Sequence, residues 1–308
     1  MKKVIIDCDV GVDDALALIL AFHASDFEVM AVTGVNGNVP LDQVFENIQK
    51  VLSLIHPQHR PLIAKGADRP LRGKTVYAHS VHGKGGLGGA KIEREKGEEW
   101  WQIYPGRADE LITKMPHQYP NQLTLIATGP LTNLALALQK DPEGMKKLKE
   151  VSIMGGAVRT KGNITPYAEF NIFSDPTAAQ LVFDSGLPIT LVPLDVTHQV
   201  FLRPQLIEEK VKPINTSFSR FVIEAVGYDL LTHRFLRGTE LIYLHDPLAV
   251  GVVIDPGLVK NERLSLDVET GDGEHYGHLT EAKEGPKVEV CLDVNSERFL
   301  DLFISSLR

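Results

Sequence analysis

Short apolar runs alternate with stretches of helical periodicity through most of the chain. Val4-Ile5-Ile6 reads as a buried strand, and residues 15–22, rich in helix formers, follow it after one loop. Residues 27–35 and 42–55 repeat that order, with Val44, Ile48, Val51, Leu52 and Ile55 at helical spacing. Residues 61–64, 123–127 and 151–154 read as further strands. A helix over 131–138 follows the second of these, and another opens with Asp175 as its cap and Pro176 at its first position. Residues 188–194 read as a strand ending at Asp195. Repeated alternation of this kind predicts an α/β fold built on a single open, mostly parallel twisted sheet flanked by helices.

The last third departs from the alternation. Residues 204–236 are largely helical, with Phe218, Phe221, Val222, Ala225 and Val226 on one face, and His245-Asp246-Pro247 opens an apolar helix over 248–254. A strand over 287–294 and a polar turn at 267–278 predict a small antiparallel addition near the C-terminus, followed by a final helix from Ser296. No repeat and no linker-like tract interrupts the chain, so residues 1–308 are expected to form one domain. The passage His79-Ser80-Val81-His82 and the glycines after it, five within residues 83–89, are expected to stay out of the core as a surface loop or a lid. This passage lacks the spacing and the Lys-Ser/Thr pair of a nucleotide phosphate loop. The charged run 93–99 reads as a solvated face.

The chemistry concentrates in Asp7-Cys8-Asp9-Val10-Gly11-Val12-Asp13-Asp14-Ala15, which sets four carboxylates on the first strand-to-helix loop. In open α/β sheets that loop lies at the carboxyl end of a strand, where ligands bind. Capping by Asp13 explains one acid near the helix start but not four that repel one another, so the loop reads as a cation site. It is not an EF-hand, which needs Gly at its sixth position and Glu at its twelfth. Asn38 ends the second strand on the same edge, and Asp246 again places an acid at a helix start, where capping and cation binding are compatible.

Composition narrows the partners. The net charge of −8 argues against a nucleic-acid surface, and no stretch serves as a signal peptide or spans a bilayer, so a cytoplasmic protein is expected. Cys8 and Cys291 lie in or beside apolar runs, which suits buried thiols in a reducing compartment.

The acidic loop, Ala127-Thr128-Gly129-Pro130-Leu131-Thr132-Asn133, Met154-Gly155-Gly156, Glu169-Phe170-Asn171 and His245-Asp246-Pro247 occur in an order and spacing that resemble the nucleoside N-ribohydrolase family. The resemblance covers essentially the whole chain; the family's opening loop has Pro where Val10 stands, a change that removes stiffness but no ligand. It implies a hydrolase of purine or pyrimidine ribonucleosides, active in salvage, carrying Ca²⁺ on Asp9, Asp14, the Thr128 carbonyl and Asp246. An all-oxygen site suits calcium better than zinc, or magnesium with its tighter octahedron. The resemblance also implies Asp9 as base on the attacking water, Asp13, Asn38, Asn163, Glu169 and Asn171 around the ribose, Met154 beneath it, and a homo-oligomer, dimer or tetramer. His245 and His82 are the candidates on the leaving-group side, and Tyr228 and His233 are candidates for the base pocket. Asp7-Cys8-Asp9-Val10-Gly11 alone also resembles the first motif of haloacid-dehalogenase-type phosphatases, with the first acid as nucleophile. A calcium-dependent ribose-binding module without turnover is the third reading.

Overall fold

Burial on both faces explains why the strands read as continuous apolar runs. In the computed structural model, which describes residues 1–92, 99–237 and 241–308, β1 (Lys2–Cys8) sends Val4, Ile6 and Cys8 into one apolar cluster and Ile5 into the other. Most of the charged run 93–99, and the side chains of Tyr228 and His233, lie outside the described residues.

In chain order the strands are β2 (Phe27–Gly34), β3 (Leu62–Lys65), β4 (Gln102–Ile103), β5 (Leu123–Ala127), β6 (Glu150–Met154) and β7 (Ile189–Val192). They continue with β8 (Phe201–Leu202), β9 (Ile242–Tyr243), β10 (Val259–Val268), β11 (Leu279–Ala282) and β12 (Val288–Val294). Ten of these form one sheet in the order β11-β10-β12-β7-β6-β5-β1-β2-β3-β4. Pairing is parallel from β4 across to β12, and β10 and β11 add the antiparallel edge. The expected α/β architecture and its C-terminal antiparallel addition are therefore present.

The order of the strands fixes where a ligand can go. The chain winds outward from β1 through β2 to β4, then returns to β5 on the other side of β1 and winds the opposite way. The two neighbours of β1 thus carry their following loops apart, which opens a crevice at the carboxyl ends of β1 and β5. The acidic loop leaves β1 at that crevice, and Thr128 leaves β5 there.

Helices Val12–His23, Leu41–Ile55 and His245–Ile254 contribute to the cluster on one face of the sheet, and Ala108–Gln118, Thr132–Lys140 and Pro176–Phe183 to the cluster on the other. Asp175 caps the last of these as expected, accepting from Ala178 N at 3.1 Å. Its other oxygen accepts from Leu71 N at 2.8 Å and Thr132 Oγ1 at 2.7 Å.

Three expectations need correction. The strand read over 188–194 stops at Val192, because Pro193 has no N–H to continue the ladder; Leu194–Thr197 is instead a helical turn. Asp195 in that turn accepts from the backbone of Val158 and Arg159 at 2.9 and 2.7 Å. The helical region from Pro204 is broken where Pro213 and the left-handed Asn215 interrupt it, and Ser217–Arg237 is the long helix. The glycine-rich passage does pack: Leu87 is buried, and Gly88, at φ +58°, sits so close to the Ala225 carbonyl that a Cβ would lie 2.2 Å from its oxygen. The ribbon of β8 and β9, pairing Phe201 with Tyr243 and Leu202 with Ile242, was not anticipated.

Because Asp175 satisfies a helix start, a loop amide and a hydroxyl at once, Asp175→Ala is expected to cost about 2–4 kcal/mol. Urea unfolding measures it; a loss under about 0.5 kcal/mol would mean water replaces all three bonds.

Candidate active site

The four loop acids divide into distinct roles. Asp7, the last but one residue of β1, points inward and accepts from Thr33 Oγ1 at 2.5 Å and Asn133 Nδ2 at 2.8 Å. It is buried, and both of these bonds fall on its Oδ1 and tie the end of β1 to β2 and to the helix Thr132–Lys140, which gives it a structural role in place of the nucleophile that the phosphatase reading requires. Asp9 accepts from Asn38 N at 2.6 Å through Oδ2, while Oδ1 has no hydrogen-bond partner among the described residues. Two glycines make room for that carboxylate. A Cβ on Gly37 would fall 2.0 Å from Asp9 Oδ2, and one on Gly129 3.0 Å from Oδ1.

Asp14, not Asp13, does the capping. Its Oδ2 accepts from Gly11 N at 2.8 Å and Asn38 Nδ2 at 3.2 Å, and its Oδ1 from Thr128 Oγ1 at 2.8 Å. Asp13 is left to face Asp246. Asp13, Asp14 and Asp246 bring one oxygen each within 4.8 Å of one another. The expected ligand set named Asp9 in place of Asp13; Asp9 stands beside this trio close enough for its charge to act on Asp246.

Burial and mutual repulsion dominate the electrostatics. Desolvation, then the neighbouring carboxylates, hold Asp9 and Asp246 well above the usual carboxylate range. Desolvation likewise lifts Asp13 and Asp14 to about 6. A buried oxygen-only donor set, with Asp9 Oδ1 and Asp13 Oδ1 lacking hydrogen-bond partners among the described residues, fits a hard divalent cation. No sulfur or imidazole stands among the clustered donors, as a zinc site would want.

The remaining expected residues surround the crevice above these acids. Asp13, Asn38, His82, Thr128, Met154, Asn163, Glu169, Asn171, His245 and Asp246 all line one cavity, with Asp9 and Asp14 beneath its floor. The side-chain amide of Asn171 donates to the Thr128 carbonyl at 2.7 Å and to that of Met154 at 3.2 Å, which ties β5 to β6. A carbonyl has two lone pairs, so Thr128 keeps one for a cation. Glu169 caps the short helix Phe170–Ser174: it accepts from the backbone of Asn171, Ile172 and Gly156, and burial raises its pKa. Asn163 accepts from Phe170 N at 2.9 Å and so fixes the loop that brings it to the cavity.

The two histidines differ. His82 Nδ1 accepts from Val12 N at 3.2 Å, and burial lowers its pKa to about 4, so at neutral pH the ring is uncharged. His245 hydrogen-bonds Thr197 Oγ1 at 2.8 Å through Nδ1 and packs near Tyr243 and His198.

Sequence reasoning passed over two buried supports. Asn47 donates to the carbonyls of Val10 at 3.1 Å and Gly85 at 2.8 Å, joining the acidic loop to the glycine-rich one. Its signal was available, since it is a polar residue on the apolar face of a helix. Thr197 carried no such signal.

A mostly parallel α/β sheet with an acid-floored, amide-walled crevice at its switch point defines an α/β protein whose ligand site is suited to a cation. Comparison with known proteins gives the family. A family model described as inosine-uridine preferring nucleoside hydrolase matches residues 4–301. The inosine-uridine preferring nucleoside hydrolase of Crithidia fasciculata is 34% identical over 99% of this chain and 97% of its own. The pyrimidine-specific ribonucleoside hydrolase RihA of Photobacterium profundum is 36% identical over 99% and 98%. Among solved structures, a plant nucleoside hydrolase superposes with a TM-score of 0.93 at 30% identity, over 99% of this chain and 98% of that one. The purine-preferring ribonucleoside hydrolase of Gardnerella vaginalis superposes with a TM-score of 0.91 at 29% identity, with the same coverage. The chain belongs to the inosine-uridine preferring nucleoside hydrolase family and is a hydrolase of N-glycosyl bonds. Among the described residues no helix is long and apolar enough to cross a membrane.

The raised carboxylates predict how stability responds to pH. Without metal, folded Asp13 and Asp14 keep protons that the unfolded chain releases near 3.8, so stability falls as pH rises through about 4 to 6, and beyond as Asp9 and Asp246 ionise. A bound cation keeps these groups ionised and removes the trend. Chelated protein is therefore expected to lose more melting temperature between pH 4 and pH 6 than protein resupplied with Ca²⁺; identical pH dependence would count against these acids as the cation site.

Proposed function

We propose that this enzyme, acting as one domain, hydrolyses the N-glycosidic bond of ribonucleosides to free base and ribose, with Ca²⁺ as its cofactor. The observation that carries the reading is Asp9: a buried carboxylate with one oxygen held by Asn38 N and the other without a hydrogen-bond partner among the described residues, beside the acidic trio Asp13, Asp14 and Asp246. Asp9, Asp14, Asp246 and the Thr128 carbonyl would hold the cation, which would keep the carboxylates ionised and lower the pKa of the attacking water.

Asp9 Oδ1 takes the proton of the water that attacks C1′. As the C1′–N bond lengthens, positive charge builds on the sugar ring, and the carboxylates of Asp13 and Glu169 with the Met154 sulfur supply electron density around it. Asn38, Asn163 and Asn171 line the same wall and hold the ribose. The departing base gains electrons and needs a proton, for which His245 stands on the cavity wall. His82, uncharged and bonded to Val12 N through Nδ1, shapes the base side of the pocket rather than supplying that proton.

Reducing-sugar release from inosine, uridine, cytidine and adenosine, with phosphate followed in parallel on a phosphomonoester, tests the reaction class. Sugar release is expected; phosphate release without sugar would overturn the reading. Asp9→Asn, which still approaches the cation but cannot accept a proton, is expected to lower kcat by about a hundredfold or more while changing KM far less. An unchanged kcat in metal-loaded mutant would place the base elsewhere.

Sugar discrimination follows from the surplus of acceptors. Asp13, Asn38 and Asn171 offer more polar atoms than a cation bound mainly to other groups can use, and hydroxyls satisfy them. Losing the 2′-hydroxyl leaves such atoms unpaired, so 2′-deoxyinosine and 2′-deoxyuridine are expected to fall at least about a hundredfold below the ribosides in kcat/KM. Ratios within about tenfold would show that these residues do not grip that hydroxyl.

A further inference from the structure

Thr197 is completely buried, and its hydroxyl lies 2.8 Å from His245 Nδ1. Forty-eight residues separate the two, and two features of the fold bring them together. Pro193 ends β7 and turns the chain into the helical turn Leu194–Thr197, held by Leu194 N donating to the Gly156 carbonyl at 2.8 Å. The β8–β9 ribbon then binds the segment after that turn to the segment before His245, and Leu244 N donates to the Val200 carbonyl at 3.0 Å, one residue before the histidine. A buried hydroxyl at the end of so constructed a contact has a specific partner.

We propose that Thr197 is a positioning residue for His245: its hydroxyl holds Nδ1 so that the imidazole meets the leaving base through Nε2. The proposal rests on the reading of His245 as the leaving-group proton donor. A hydroxyl suits the task because it both donates and accepts, so it holds Nδ1 in either tautomer of the ring. A carboxylate in its place would favour the charged ring and add a further anion beside Asp246. A valine would keep the volume of threonine and remove the bond.

The test compares substrates whose leaving groups differ. Thr197→Val is expected to lower kcat for inosine or uridine by about tenfold more than for p-nitrophenyl riboside, whose leaving group departs without a proton, with KM little changed. Thr197→Ser keeps the hydroxyl and is expected to restore most of the loss. In a His245→Ala background Thr197→Val is expected to add nothing further, since the two act through one group. A packing defect would instead slow both substrates alike and persist in the double variant, which would overturn the proposal, as would a valine variant with full activity on nucleosides. If valine does not fold, as judged by melting temperature, Thr197→Ala carries the same comparison. His245→Ala alone separates the two levels of inference: equal losses on both substrates remove the histidine as proton donor and the proposal with it. Unequal losses there with equal losses for Thr197→Val remove only the proposal.

Discussion

Mutual repulsion among buried carboxylates is the constraint around which this molecule is arranged. Asp9, Asp13, Asp14 and Asp246 would separate or take up protons if the chain left them free, and their raised pKa values register that tension. The fold confines them. β1 is flanked by strands whose chains diverge, the start of helix Val12–His23 presents N–H groups and a positive dipole end, and Asn38 ties Asp9 to Asp14. Space is confined as well, since Gly37 and Gly129 leave no room for a methyl group beside Asp9. Stability given up at this floor leaves a set of charges that a cation would balance.

Residues with a role in the motifs were legible because their chemistry is local to the sequence. Asp9 and Asp14 follow a strand by a few positions, so the strand-loop-helix pattern placed them at the sheet edge, while Thr128, just after a strand, and Asp246, at a helix start, joined them as ligands only through the family resemblance. Division of labour among them was not legible. Capping by Asp14 rather than Asp13 depends on which carboxylate the helix start rotates toward Gly11 N, a matter of a single residue. Thr197 was invisible for another reason. It reaches the site through two-residue strands, too short to show any alternation, and through a turn that Pro193 imposes where a continued strand was read.

Glu169 shows how one carboxylate serves structure and chemistry together. Both of its oxygens accept backbone N–H groups, so it anchors the helix Phe170–Ser174 and the turn at Gly156 while remaining in the cavity wall. Such an acid contributes charge without freedom to move. Asp7 occupies the complementary position, behind the wall, where Thr33 and Asn133 fix the end of β1 from which the acidic loop departs.

The contact between Gly88 and the Ala225 carbonyl, with the Asn47 amide on Gly85, bears on how the crevice can open. A glycine-rich segment reads as slack, yet here it is fastened at both points, to helix Leu41–Ile55 and to helix Ser217–Arg237. The wall that carries His82 is therefore packed against both helices. Any displacement of that wall has to break the Asn47–Gly85 hydrogen bond and unpack Gly88 from the long helix, so a glycine-rich segment here carries the cost of motion rather than the freedom for it.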